Sequence, residues 1–237
     1  MINHVQPVLK PLKAILFDLD GTLIDSETNY LKTDLEFLRR RGVELPEEAM
    51  HQFIGIGSEA FVAFTQQTYG FGGNVAEMLE EKNQIYQELA SQETRTFPQM
   101  IKFLDLAQNA GLLVAIASGS SREIIGKSLV WAKIPHEFNL IISAEEVAKG
   151  KPAPDVFLEA ARRLGVEPAD CLVMEDSRPG TLAAEAAGMA CVSVPFIPAE
   201  PDDQVFSQAE FYYPKGTHSF DAEHLVSNLK DLGYWPS

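Results

Sequence analysis

Short runs of apolar residues recur along the chain at the length of β-strands. They occupy 14–18, 113–118, 139–143, 171–175 and 190–194, and segments with helical spacing of apolar residues separate most of them. Alternation of this kind predicts a parallel sheet with helices packed against it. Within the first run, the four residues Ala14–Phe17 are all apolar, which is typical of a strand buried on both faces.

The pattern changes after the first run and stays helical as far as residue 90. Helices are predicted there over 29–41, 58–69 and 75–90. A helical block inserted after one strand predicts a second, all-helical domain, which we assign to 25–94. Residues 1–24 and 95–237 then form an α/β domain, a Rossmann-like parallel sheet flanked by helices. Its tail is predicted to contain a short segment at 211–213 and a helix near 220–232.

The composition of the chain argues against several classes of protein. The 237 residues carry a net charge of −15, which argues against a protein that binds nucleic acid. The two cysteines, Cys171 and Cys191, both lie in apolar runs, where a buried free thiol is expected. No apolar stretch approaches the roughly 20 residues that cross a bilayer, and residues 1–13 lack the apolar segment of a signal peptide. We therefore expect a cytoplasmic protein that binds neither nucleic acid nor membrane, as a monomer or a weak dimer.

Two carboxylates follow the first strand directly, in Asp18-Leu-Asp20-Gly21-Thr22. In open α/β sheets ligands bind at the carboxyl ends of strands, and two carboxylates at one site repel each other, so that their proton affinities diverge. One can then stay ionised as a nucleophile or metal ligand while the other carries a proton. Because Asp and Gly are also common turn formers, a simple strand-to-turn junction is the alternative for this segment alone.

Three further polar groups occur at strand or helix ends. They are Ser118-Gly119-Ser120 after the second run, Lys151 before a predicted helix, and Glu175-Asp176 at the end of the fourth run. Each alone has an ordinary structural explanation as a cap, a solvated lysine or a pair at a helix N-terminus. Together they supply what phosphoryl transfer requires: a nucleophile, a cation site and donors for the phosphoryl oxygens. Carboxylates of Asp18 and Asp176 with the Asp20 carbonyl would suit Mg²⁺, which prefers oxygen ligands.

In this order the four segments resemble the motifs of the haloacid dehalogenase superfamily, and the resemblance spans 14–180. It implies that Asp18 attacks phosphorus to form an aspartyl-phosphate and that Asp20 acts as general acid and then general base. It implies that Ser118 and Lys151 hold the phosphoryl group. The implied Mg²⁺ ligands are Asp18, Asp20, Asp176 and Glu175. The subgroup that contains β-phosphoglucomutase and related phosphatases has a C1-type helical cap at the position of 25–94.

Substrate specificity is less evident from the sequence. Candidate substrate contacts are Gly119, Ser120 and Arg122 after the second run, and Gly55 and Gly57 in the helical block. The second aspartate argues against a dehalogenase, which lacks it. The mutase of this subgroup holds a second phosphate with a Gly-hydrophobic-Ser-Arg segment in its cap. Here residues 51–64 contain no Lys or Arg, so Arg122 is the remaining candidate for a basic residue that contacts such a phosphate.

We therefore favour a Mg²⁺-dependent phosphatase of a small phosphorylated metabolite, of the sugar phosphate or phosphoglycolate type. A hexose-phosphate mutase is the alternative function. A non-catalytic binding protein on the same fold is a further one, although strand-end carboxylates repel one another unless a cation is held among them.

Overall fold

The computed structural model describes residues 11–53 and 56–236, which divide into two compact units. The core unit comprises 11–24, Thr96–Lys127 and 134–236, and the cap unit comprises Asp25–Arg95 and Ser128–Lys133. Within the core unit, the two chain segments that border the cap unit pair with each other, since Ile24 forms an antiparallel bridge with Thr96.

The core unit contains a six-stranded sheet in which every strand pairing is parallel. The strands are β1 Ala14–Phe17, β2 Leu113–Ser118, β3 Leu140–Ser143, β4 Cys171–Glu175, β5 Ala190–Ser193 and β6 Phe211–Tyr212. Their spatial order is β3-β2-β1-β4-β5-β6, so that β1 lies between β2 and β4. This order brings the carboxyl ends of β1, β2 and β4 next to one another at one edge of the sheet.

In the described ranges five helices accompany the sheet. They are α4 Pro98–Asn109, α5 Arg122–Trp131, α6 Asp155–Leu164, α7 Arg178–Ala186 and α8 Ala222–Asp231. One of them, α5, ends within the segment that belongs to the cap unit. Phe157 of α6 and Ala183 of α7 pack with Leu16 and Val173 in one fully buried cluster. Phe103 of α4 is also fully buried and makes an edge contact with Phe17. The prediction of a Rossmann-like α/β fold is confirmed.

The cap unit is helical. It contains α1 Ser26–Arg39, α2 Ser58–Tyr69 and α3 Val75–Glu93, with a 3₁₀ segment at Glu47–Phe53. The helix α1 begins earlier than the apolar spacing predicts, because the side chain of Asp25 accepts a hydrogen bond from the Thr28 N–H and so caps it. Apolar side chains of the three helices meet in a cluster around Phe37 and Phe61. An all-helical block inserted after β1 is thus confirmed.

No helix in the described ranges is both long enough and apolar enough to cross a membrane. The two cysteines, Cys171 and Cys191, are buried free thiols.

Candidate active site

The turn after β1 is built around Asp18 and Gly21. Asp18 is 6% exposed, and its backbone N–H donates to the Met174 carbonyl of β4 at 2.9 Å. Gly21 has a φ of +79°, and a Cβ there would lie 2.1 Å from Oδ2 of Asp176. Glycine is therefore required at this position both by the backbone conformation and by the neighbouring carboxylate.

Lys151 lies between two buried carboxylates. Its Nζ donates hydrogen bonds to Oδ1 of Asp18 and, at 2.6 Å, to Oε1 of Glu175. Burial, assisted by the carboxylates of Glu175 and Asp20 and opposed by Lys151, raises the pKa of Asp18 to about 8. Burial lowers the pKa of Lys151, but the carboxylates of Asp18 and Glu175 outweigh it, so the pKa of this lysine is raised. Lys151 is therefore a fixed cation beside Asp18.

Glu175 is held on both of its oxygens. While Oε1 accepts from Lys151, Oε2 accepts from the backbone N–H groups of Asp176 and Ser177 at 3.0 and 2.9 Å and from the Ser177 hydroxyl at 2.9 Å. The side chain is almost completely buried. In this arrangement Glu175 is the partner of Lys151, and its role as a Mg²⁺ ligand stays a prediction.

Asp20 is oriented by the segment that follows β2. The Ser120 hydroxyl donates to Oδ2 of Asp20 at 2.7 Å, and the Ser120 N–H donates to Oγ of Ser118 at 3.0 Å. Both hydrogen-bond donors of Ser120 are thus used within the protein, and its contact with substrate stays a prediction. Ser118 is buried at the end of β2, whereas Gly119 is exposed and has open space at its Cα.

The oxygen donors at this edge of the sheet fit a hard divalent cation. The Thr22 hydroxyl donates to Oδ1 of Asp176 at 3.2 Å, which places this carboxylate beside the turn that carries Asp18 and Asp20. Across 11–53 and 56–236, no three Asp, Glu, His or Cys side chains form a ready-made metal cluster. The predicted Mg²⁺ site would take two carboxylates and one backbone carbonyl from the protein, because Mg²⁺ keeps several waters and takes further oxygens from a substrate phosphate.

The sequence profile of haloacid dehalogenase-like hydrolases matches residues 15–194 of this chain. The chain belongs to the haloacid dehalogenase-like hydrolase family. Hexitol phosphatase B of Escherichia coli is 30% identical over 195 residues, covering 81% of this chain and 88% of its own. β-Phosphoglucomutase of Bacillus subtilis is 31% identical over 193 residues, covering 77% of this chain and 83% of its own.

Solved structures of haloacid dehalogenase-like hydrolases agree with this assignment. A family member from Deinococcus radiodurans, with bound phosphate and sodium, superposes with a TM-score of 0.74 at 26% identity, covering 96% of this chain and 99% of its own. The predicted superfamily and the β-phosphoglucomutase-like subgroup are therefore confirmed, as is the class of phosphoric monoester hydrolase. Phosphatases of this family generally use a divalent metal.

Arg122 is engaged within the core unit. At the start of α5, its guanidinium donates to the Ile141 carbonyl and lies 3.3 Å from Oε1 of Glu146. The backbone N–H of Arg122 donates to Glu145 at 3.0 Å. This basic residue thus serves contacts around the end of β3, and its contact with substrate stays a prediction.

The cap unit contains a basic residue that the sequence interpretation missed. Lys82 of α3 is 2% exposed, and its Nζ lies 2.9 Å from Oγ of Ser58 and 2.7 Å from Oδ1 of Asp34. Burial raises the pKa of Asp34, although Lys82 opposes the shift. The signal was present in the sequence, because Lys82 follows Met78 by four residues and precedes Ile85 by three on the apolar face of α3.

Lys82 and Asp34 line a cavity of about 250 Å³ inside the cap unit. Tyr30, Phe53 and Gly57 are among its other lining residues. Gly57 precedes the first residue of α2, whereas the predicted contact Gly55 lies outside the described residues. The lining of the cavity thus mixes aromatic side chains with charged and polar ones.

Proposed function

We propose that this protein is a Mg²⁺-dependent phosphatase that hydrolyses a small phosphorylated metabolite, of the sugar phosphate or phosphoglycolate type, through an aspartyl-phosphate on Asp18. The observation that carries the proposal is the different environment of the two aspartates. Asp18 contacts the buried cation of Lys151, whereas Asp20 is bound by the hydroxyl of Ser120. Lys151 favours the ionised form of Asp18 against the burial that raises the pKa of this aspartate, and the hydroxyl of Ser120 orients Asp20 for proton transfer.

In the first half of the reaction, a carboxylate oxygen of Asp18 attacks phosphorus. The bond from phosphorus to the ester oxygen breaks, and Asp20 gives its proton to that oxygen as the alcohol leaves. Lys151 and the Ser118 hydroxyl stabilise the charge on the phosphoryl oxygens. The products of this step are the free alcohol, an acyl phosphate on Asp18 and an ionised Asp20.

In the second half, Asp20 acts as a base. It takes a proton from a water molecule whose oxygen attacks phosphorus, and the bond from phosphorus to Asp18 breaks. Inorganic phosphate leaves, Asp18 is again a carboxylate and Asp20 is again protonated. The same side chain serves both steps because each leaves it in the protonation state that the next one needs.

Asp18 and Asp176 would hold the Mg²⁺ through their carboxylates and Asp20 through its backbone carbonyl. When bound, the ion neutralises phosphoryl charge and lowers the repulsion between the anionic ester and its attacking carboxylate. A bound divalent cation would also favour the ionised form of Asp18, whose pKa is raised to about 8 without it.

A hexose-phosphate mutase is the second candidate, and Lys82 is the observation that favours it. A mutase must hold a second phosphate, and Lys82 places a cation beside Ser58 at the start of α2. That charge is compensated, however, because Asp34 lies 2.7 Å from Nζ of Lys82. The pair therefore offers no net positive charge to a second dianion, and the mutase stays the second candidate.

The proposal is tested by measuring inorganic phosphate released from a panel of sugar phosphates, phosphoglycolate and nucleotides, with Mg²⁺ and with chelator. We expect release from at least one small monophosphate, in the presence of Mg²⁺ only. Turnover that persists in metal-free buffer would contradict the Mg²⁺ site, and release from no ester by the wild-type protein would contradict the phosphatase.

A further inference from the structure

We propose that Gly180 is a positioning residue: the absence of its side chain leaves the space in which the Glu175 carboxylate holds Lys151. The consequence for catalysis rests on the proposed function, whereas the steric relationship itself can be tested on protein stability. Gly180 lies in the first turn of α7, and none of the roles assigned above requires a glycine there.

The Glu175 carboxylate fills the space that a side chain at residue 180 would need. A Cβ on Gly180 would lie 1.7 Å from Oε1, 1.8 Å from Cδ and 2.2 Å from Oε2 of Glu175. These separations are far below any non-bonded contact, and they involve every atom at the end of the side chain. Gly180 has no positive φ, so its helical backbone would accept any residue. The requirement for glycine therefore comes from Glu175 and not from the main chain.

Glu175 cannot move aside without losing its partners. The Gly180 N–H donates to Oγ of Ser177 at 3.1 Å, and the Ser177 hydroxyl donates to Oε2 of Glu175 at 2.9 Å. Two backbone N–H groups also donate to this oxygen, and the N-terminal end of α7 favours a negative charge there. A buried carboxylate displaced from such donors loses charge-assisted hydrogen bonds that water does not replace.

Displacement of Glu175 would change the surroundings of Lys151. In the part of the chain that the structure describes, Nζ of Lys151 forms ion pairs with the carboxylates of Glu175 and Asp18. Without Glu175, the ammonium group of Lys151 keeps Asp18 as its partner. Because Asp18 is the proposed nucleophile, a tighter ion pair with Lys151 would make it less available for attack. We therefore infer a chain of contacts from Gly180 through Glu175 to Lys151, by which the first turn of α7 sets the position of the cation.

The first measurement compares Gly180→Ala with Gly126→Ala. Gly126 is a matched control, because it also lies within a helix of the core unit but has open space where its Cβ would be. We expect Gly180→Ala to lower kcat/KM by about 100-fold, the cost of displacing a catalytic group by about 1 Å. Its Tm should fall by roughly 2–12 °C, as for overpacking in a domain of this size. Gly126→Ala should keep the activity of wild type, with a Tm equal to or slightly above that of wild type, because alanine favours a helix more than glycine does.

The second measurement repeats Gly180→Ala in a Glu175→Ala background, where the carboxylate is gone. There we expect Gly180→Ala not to lower Tm, and not to change the dissociation constant for inorganic phosphate, beyond the effect of Glu175→Ala alone. An equal loss of Tm in both backgrounds would overturn the proposal, because the glycine would then be needed for the helix itself. Because Tm is measured without substrate, this result tests the role of Gly180 independently of catalysis. The phosphatase proposal is tested separately, by turnover of the wild-type protein.

Discussion

The hydroxyl of Ser120 donates a hydrogen bond of 2.7 Å to Oδ2 of Asp20. Ser120 is itself held in place, since its carbonyl accepts from the Ser143 hydroxyl at 2.7 Å and its N–H donates to Oγ of Ser118 at 3.0 Å. The proposed acid on the β1 turn is therefore oriented by the segment that follows β2, the strand that pairs with β1. That relationship predicts a specific defect when the hydroxyl is removed.

We predict that Ser120→Ala lowers kcat by about 10-fold on alkyl phosphates, the value of one hydrogen bond to a charged group, with little change in KM. The loss on p-nitrophenyl phosphate should be smaller, because its leaving group needs little protonation. Ser121→Ala is the control, since this neighbouring hydroxyl accepts from the Ile124 N–H instead. Equal losses on both classes of ester would show that Ser120 does not act through Asp20.

We predict that Asp176→Asn raises the Mg²⁺ concentration needed for half-maximal activity by at least about 10-fold, because one anionic ligand is lost. The matched control is Asp170→Asn. Asp170 precedes the other end of β4 and pairs with Lys13 at 2.7 Å, so it lies at the opposite edge of the sheet. Activity titrated against Mg²⁺ measures the effect, and an unchanged midpoint for Asp176→Asn would remove this residue from the metal site.

The ion pair of the cap unit gives a prediction on stability. Asp34→Ala leaves the buried Lys82 uncompensated, so we expect a loss of about 3–5 kcal/mol in the free energy of unfolding. Replacing both residues, as Asp34→Leu with Lys82→Met, should recover most of that loss, because no unpaired charge remains. Chemical denaturation of the three proteins provides the values. A double variant as unstable as the single one would show that the pair is not the source of the effect.

The phosphatase and mutase alternatives differ in their products. We predict inorganic phosphate as the product and no interconversion of β-glucose 1-phosphate with glucose 6-phosphate, because Asp34 compensates the charge of Lys82. A coupled assay for glucose 6-phosphate, with a trace of the bisphosphate primer, measures the interconversion. Efficient isomerisation with little phosphate release would instead assign the mutase.

Much of the core unit could be predicted from sequence, because a strand buried on both faces has a distinctive composition. The run predicted at 14–18 is a strand over Ala14–Phe17, and the run predicted at 171–175 is a strand over Cys171–Glu175. Because these two strands pair, the polar residues that follow them are neighbours. Backbone pairing of strands brings residues together irrespective of their side chains. The site residues at strand ends are therefore the ones whose proximity is most readily predicted from sequence.

Contacts that depend on how side chains pack were not predictable in the same way. The approach of Lys82 to Asp34 joins two helices of the cap unit whose register no local pattern specifies. The hydrogen bond from Ser120 to Asp20 joins residues 100 positions apart. The reason for Gly180 is a carboxylate that folds back over the first turn of α7. In each case the sequence identifies the residue type, and only the tertiary structure identifies its partner.

Covalent attachment of phosphate to Asp18 is the central claim, and rapid acid quench during turnover of p-nitrophenyl phosphate tests it most directly. In Asp20→Asn, which lacks the base for the second half-reaction, we expect a base-labile phosphate to accumulate on the peptide that contains Asp18. The same labelling should be absent from Asp18→Asn, and this variant should also lose turnover while remaining folded. Provided that the wild-type enzyme turns over, either of two results would contradict the assignment of the nucleophile. One is the absence of phosphate on that peptide in Asp20→Asn, and the other is an Asp18→Asn variant that keeps more than a tenth of the wild-type turnover.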